Sequence, residues 1–209
     1  MLHPPYMLIG NEEPTQESMQ AWIPPDGRCE SVTDFEGAPL RPGKNFDLIV
    51  VGMQESTWKE SGPKATTKKA LSEDEILNAM EEHHTATLRE MMQDILGEGY
   101  CSVAEEQRGQ MRLYIFAANE IVEEINEVRI SGANTGIGNV MANKGGIVIS
   151  FTYQMTRLSF LNAHLAAHEG ATYYANRCSN IRTIISESQT YDLSGKLDAA
   201  ISSHHMFVM

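Results

Sequence analysis

Residues 135–151 read TGIGNVMANKGGIVISF. Gly136, Gly138, Gly145 and Gly146 surround Asn139, Asn143 and Lys144, and the chain then runs straight into Ile147-Val148-Ile149-Ser150-Phe151. Glycine admits positive φ and lets a ligand come close to the backbone. A glycine-lined turn that carries a lysine and amide side chains and feeds a strand is suited to cradling an anion. An ordinary β-turn before a core strand fits the same letters equally well. The flanking chain has to separate the two.

Upstream, Phe46-Asp47-Leu48-Ile49-Val50-Val51-Gly52-Met53-Gln54-Glu55 is a continuous apolar run rich in β-formers. Such a run predicts a strand buried on both faces. It ends in the polar pair Gln54-Glu55, at the kind of strand terminus where layered α/β folds place their chemistry. Downstream, strands are expected over Ile147–Tyr153 and Leu158–Leu161, with a turn near Gln154–Thr156. The second of these leads into Asn162-Ala163-His164-Leu165-Ala166-Ala167-His168.

Between these blocks the pattern alternates between helix and strand. A brief helix is expected at Glu17–Trp22. Ser72-Glu73-Asp74-Glu75 has the spacing of a capping box. Ile76, Leu77, Met80, His84, Leu88, Met91, Met92 and Ile95 then recur at helical spacing, with Gly97 as the stop. From Tyr100 the period becomes two, which predicts strands at Tyr100–Glu106 and Met111–Ala118 around a turn at Arg108-Gly109. Ile121–Ile130 reads as a further strand that buries Val122, Ile125 and Val128. Its acids Glu120, Glu123, Glu124 and Glu127 read as a solvated edge. A helix over Tyr174–Gln189 turns Cys178, Ile181, Ile184 and Ile185 inward. The closing Met206-Phe207-Val208-Met209 reads as the start of a buried strand.

The chain carries 28 acidic and 16 basic residues, a net charge of −12. Binding along a nucleic-acid backbone requires Lys and Arg to displace counterions, so the charge argues against a general nucleic-acid binder and no nucleic-acid partner is expected. The charge is uneven. Residues 71–128 hold 14 acids and 3 bases, whereas residues 129–209 hold 4 acids and 6 bases. The glycine-rich stretch therefore sits in a mildly basic part of an acidic protein, which suits a small anion. Cys29, Cys101 and Cys178 form no CxxC pair, which argues for a reducing, cytoplasmic setting.

Gln54-Glu55, Asn143-Lys144 and Asn162-Ala163-His164 are the polar strand ends. A carboxylate, a lysine and a histidine together suit metal-assisted phosphoryl chemistry. The carboxylate holds a hard cation such as Mg²⁺ through oxygen, and cation and lysine neutralise phosphate oxygens. The histidine supplies a proton or a hydrogen bond. His164 and His168 have zinc-protease spacing, but Leu165 stands where HExxH needs Glu. Thr135–Gly138 is not a dinucleotide loop, since it opens a strand and lacks the third glycine.

Taken in order, Asp47–Glu55, Thr135–Gly145 and Phe160–His168 resemble the inositol polyphosphate 5-phosphatases, within the endonuclease/exonuclease/phosphatase fold shared with pancreatic-type deoxyribonucleases. The resemblance runs from about residue 9 to the end of the chain. It implies an α+β fold, a four-layer α/β/β/α sandwich, here a single partial catalytic domain over residues 1–209 that is incomplete at both ends. It implies Mg²⁺-dependent hydrolysis of the 5-phosphate of a phosphoinositide lipid or a soluble inositol polyphosphate, with peripheral contact at the cytosolic face of a membrane.

Residue by residue, the resemblance makes Glu55 the Mg²⁺ ligand, Asn143 and Lys144 contacts to ring phosphates, His164 the active-site histidine near the scissile phosphate, and Arg177 structural. Two departures from the family pattern are expected to matter. Leu8 stands where the family has a metal-side asparagine, and the family's GDLN motif would follow Met209. The chain is therefore expected to be catalytically incomplete. The alternative is a non-catalytic fragment that binds phosphoinositide or a protein partner.

Overall fold

The computed structural model describes residues 15–29, 43–56, 87–136, 144–191, 197–199 and 203–209. Two antiparallel-based sheets stack face to face, with helices on their outer faces. The first sheet contains β1 (Leu48–Met53), β2 (Tyr100–Arg108) and β3 (Met111–Ala118) in the order β1-β3-β2. The second contains β4 (Ile125–Asn134), β5 (Gly145–Tyr153), β6 (Thr156–His164) and β9 (His205–Val208) in the order β4-β5-β6-β9. β9 runs parallel to β6. β7 (Gln189–Tyr191) and β8 (Leu197–Ala199) form a separate small ribbon.

The period of two along each strand sorts side chains between layers. On β3, Met111, Leu113 and Ile115 face the second sheet, whereas Tyr114, Phe116 and Ala118 face the helices. The intersheet core adds Ile147, Ile149, Phe151 and Phe160. Fully burying one such side chain stabilises the fold by about 1.5–3 kcal/mol. Helix α1 (Gln16–Gln20) and helix α2 (Leu88–Leu96) cover the first sheet through Met19, Leu88, Met92, Ile95 and Leu96. A short helix α3 (Asn119–Val122) links β3 to β4. Helix α4 (Ala171–Glu187) covers the second sheet through Ile184 and Ile181, which pack on Val148, Leu161 and Ala163. The four expected layers are present.

Local chemistry accounts for the ends of α2. Thr87 Oγ1 accepts from Glu90 N at 3.2 Å and Glu90 Oε2 accepts from Thr87 N at 2.8 Å. Gly97 ends the helix at φ 70°. The capping box at Ser72 and the helical positions through His84 lie outside the described residues. Beneath this helix Tyr100 donates its hydroxyl to the Phe46 carbonyl. Burial first, then the nearby Cys29, Asp47 and Glu120, pushes its phenol up to about 12.

Several boundaries differ from expectation. The β2–β3 turn is Gly109-Gln110, one residue later than expected. α1 begins one residue early and ends at Gln20. α4 begins at Ala171 and stops at Glu187, and Cys178 and Ile185 are only half-buried. β6 continues to His164 rather than stopping at Leu161.

The expected strand Ile121–Ile130 is corrected more substantially. Asn119–Val122 is helical, β4 starts at Ile125, and Val128 and Ile130 are 40% and 43% exposed. Glu127 adopts φ 53°, and the β4–β5 register shifts between Asn126 and Arg129. A bulge of this kind moves the residues after it to the opposite face. The acids behave as a solvated edge. Glu120, Glu123, Glu124 and Glu127 are exposed, and Glu127 pairs with Arg157 at 2.8 Å.

The C-terminal run is a strand, but not a buried one. Phe207 is 51% and Val208 61% exposed, because among the described residues β9 has a neighbour on the β6 side alone. Phe207 still stacks on Phe160, with ring centroids 5.1 Å apart.

Candidate active site

The C-terminal ends of β1 and β6 and the start of β5 meet at one end of the stacked sheets. On β6, Leu158 and Phe160 face the intersheet core, so Asn162 and His164 point to the same side. On β1, Leu48 and Val50 face that core, which puts Gly52 and Gln54 opposite Asn162. Gly145 pairs with His164 in register, so Lys144 enters the site one residue before β5.

After β1 the chain turns sharply. Glu55 takes φ 53°, and Ser56 N donates to Gln110 O at 2.9 Å, tying this turn to the β2–β3 hairpin. The left-handed conformation costs a residue with a Cβ about 1–2 kcal/mol. It brings the Glu55 carboxylate back over β6. Glu55 Oε1 lies 3.3 Å from His164 Nε2 and 3.9 Å from Lys144 Nζ. Lys144 Nζ lies 2.5 Å from His164 Nε2. His164 and Lys144 side chains are 10% and 21% exposed, whereas Glu55 is 67% exposed.

An ammonium group can only donate, so a charged Lys144 facing His164 Nε2 requires that nitrogen to accept. The Glu55–Lys144 pair is solvated on the Glu55 side and contributes no more than about 1 kcal/mol to stability. Its value lies in placement: a carboxylate, an ammonium and an imidazole converge from chain segments far apart in sequence. Asn143 lies outside the described residues.

Glu55 is an accessible hard oxygen donor whose Oε1 faces Lys144 and His164. Mg²⁺ is typically held by one or two carboxylates plus waters and substrate phosphates, so Glu55 fits such an ion. Among the described residues no group of three or more His, Cys, Asp and Glu comes together as a closed metal cage. His168 is exposed and turns its ring against Tyr173, away from His164. Arg177 donates to the carbonyls of Ala166 at 3.3 Å and His168 at 2.8 Å, pinning the segment after β6.

Two polar clamps at this end were not distinguished by sequence reasoning. Asn162, 1% exposed, donates its amide to Met53 O and Arg112 O, both at 2.8 Å, and so ties β6 to β1 and β3. Gln54 Nε2 donates to Ala163 O at 2.7 Å and reaches Asn162 Oδ1 at 3.4 Å. Across the mouth, Arg108 of β2 donates to Asn134 Oδ1 of β4 at 3.4 Å. The signal for Asn162 was a polar residue at a position whose strand phase points into the core.

The profile of the endonuclease/exonuclease/phosphatase family 2 matches residues 10–209, and the chain belongs to that family. Among its relatives is the inositol-1,4,5-trisphosphate 5-phosphatase 1 of Schizosaccharomyces pombe, 38% identical over 90 residues, which are 43% of this chain and 8% of that protein. Another is the phosphatidylinositol 3,4,5-trisphosphate 5-phosphatase 2B of Danio rerio, 26% identical over 183 residues, 82% of this chain and 13% of that protein. Among solved structures, the inositol polyphosphate 5-phosphatase domain of SpSynaptojanin in complex with inositol (1,4)-bisphosphate and calcium ion has a TM-score of 0.47 at 27% identity. That alignment covers 82% of this chain and 45% of the other.

Proposed function

We propose that Glu55, Lys144 and His164 belong to the active site of a Mg²⁺-dependent phosphatase that removes the 5-phosphate of a phosphoinositide or a soluble inositol polyphosphate. The observation that carries this reading is the convergence of Lys144 and His164 within 4 Å of Glu55 Oε1 in a chain of this family. The named activities of the two relatives supply the substrate class.

The chain's own groups have separable tasks. Lys144 is the cation that meets an incoming phosphate. When the phosphate takes the Lys144 ammonium, His164 Nε2 can take up a proton from solvent and donate it in a hydrogen bond to a phosphoryl oxygen. Glu55 would hold the divalent ion, which when bound supplies charge neutralisation at the phosphate. Asn143, adjacent to Lys144, is proposed to contact a second ring phosphate. A lipid substrate would bring the protein to the cytosolic face of a membrane.

Turnover by this chain is expected to be slow. With substrate bound, His164 would face a phosphoryl oxygen and Glu55 would hold the ion. Neither is therefore placed to activate the attacking water. Phosphate release from a 5-phosphorylated inositol lipid and from inositol 1,4,5-trisphosphate, with and without Mg²⁺, tests the reading. Tight binding with no release under any condition would favour a non-catalytic phosphoinositide-binding protein instead.

A further inference from the structure

We propose that Asn162 is the positioning residue that sets the Glu55–His164 geometry, a role that rests on the proposed phosphatase reading and deepens it. Four features of the structure converge on this amide. Asn162 is 1% exposed and sits two residues before His164 on the same face of β6. It donates to Met53 O, two residues before Glu55, and to Arg112 O, the register partner of Met53. Its Oδ1 lies within reach of Gln54 Nε2, and Gln54 in turn holds Ala163 O, the carbonyl before His164. Finally, β1 leaves room for the amide: a Cβ on Gly52 would stand 3.2 Å from Asn162 Cγ and 3.4 Å from its Oδ1.

The geometry shows why an amide is needed. Glu55 and His164 stand on different sheets, and the intersheet core that joins those sheets is apolar and non-directional. Hydrogen bonds from Asn162 and Gln54 tie one sheet to the other at the site end. Asn offers two donors for two carbonyls and one acceptor for Gln54. Leu has the volume without the donors. Asp has the shape, but it would face Met53 O and Arg112 O with like polarity. Asn162 touches neither Glu55 nor His164, so it acts through the backbone that carries them.

The test uses the full chain carrying Asn162→Leu, Asn162→Asp or Gly52→Ala. Gly52→Ala guards against an Asn162 variant that fails to fold. Its methyl presses on Asn162 at 3.2 Å and displaces the amide by a few tenths of an ångström, without altering any group that meets the phosphate. The first readout is NMR of the Glu55 and Ser56 amides and the His164 ring. These resonances should move in all folded variants while the amides at the far end of β5, Phe151 to Tyr153, stay in place. The second is steady-state kinetics on inositol 1,4,5-trisphosphate. A misplacement near 1 Å costs about 10²-fold, so kcat should fall by about that factor for Asn162→Leu and by about 10-fold for Gly52→Ala, with KM within twofold.

Unmoved Glu55 and His164 resonances in folded variants, or a kcat equal to wild type, would overturn the proposal. If the wild type releases no phosphate, the phosphatase reading fails on its own account, and the NMR readout still decides the role of Asn162.

Discussion

Gly145→Ala should loosen the closing pair of β4 and β5. Gly145 has φ 153°, and a Cβ there would lie 2.1 Å from the Ala133 carbonyl oxygen. That contact is backbone, so it cannot be relieved by rotating a side chain. The strands must separate at the Asn134–Gly145 pair, or the Lys144–Gly145 peptide must turn. Forcing a residue with a Cβ into this conformation costs roughly 1–3 kcal/mol. Breaking the Thr135 N to Lys144 O bond adds about 1 kcal/mol. With a urea m-value of about 2 kcal/mol per molar, a loss of roughly 2–4 kcal/mol lowers the midpoint by about 1–2 M. Equilibrium urea unfolding followed by circular dichroism measures this directly. The same substitution should withdraw Lys144 from His164 and weaken inositol phosphate binding. A midpoint within about 0.2 M of wild type would refute the reasoning, because strain and clash of this size cannot be silent.

Three other perturbations address separate links. Phe160→Ala removes the ring stacked between Phe151 and Phe207, at 5.9 and 5.1 Å. It should cost roughly 3–5 kcal/mol, visible by calorimetry as a Tm lowered by about 10 °C. The phenol of Tyr100 is pushed above its ordinary value to about 12, so the folded state keeps this proton after the unfolded chain has lost it. The resulting contribution to stability is full below about pH 10 and is lost as pH rises towards 12. Absorbance at alkaline pH should show one late-ionising tyrosine, and Tyr100→Phe should remove it. Lys144→Ala should weaken binding of inositol 1,4,5-trisphosphate about 10-fold by calorimetric titration, whereas Lys144→Arg should retain most of the affinity.

How far the sequence discloses this fold depends on the element. β1 and β5 are legible because strands buried on both faces need near-continuous apolar runs, which Leu48–Val51 and Ile147–Phe151 supply, whereas β3 is legible from its period of two and β6 from Leu158, Phe160 and Leu161 after the turn. β4 is legible as a strand over Ile125–Ile130 but not in its start or its buried face, because the bulge at Glu127 inverts the phase that alternation assumes, and nothing in Asn126-Glu127-Val128 announces a left-handed residue. Glu127 and Glu55 both adopt that conformation without being glycine. Polar letters at strand ends pointed to Glu55, Lys144 and His164, and the fold brings these together. The partners of Asn162 were hidden for a different reason. They are backbone carbonyls on another sheet, and a sequence does not say which carbonyl a buried amide will meet. The closing apolar run misled because apolar letters predict a strand but not whether a neighbour covers it.

The central claim is tested most directly by release of inorganic phosphate from a phosphatidylinositol 3,4,5-trisphosphate vesicle, with and without Mg²⁺, by the wild-type chain and by Glu55→Gln and His164→Ala. The account predicts slow release from the 5-position that requires Mg²⁺ and is lost in both variants. Release that proceeds without a divalent ion, or that survives Glu55→Gln and His164→Ala, would contradict it.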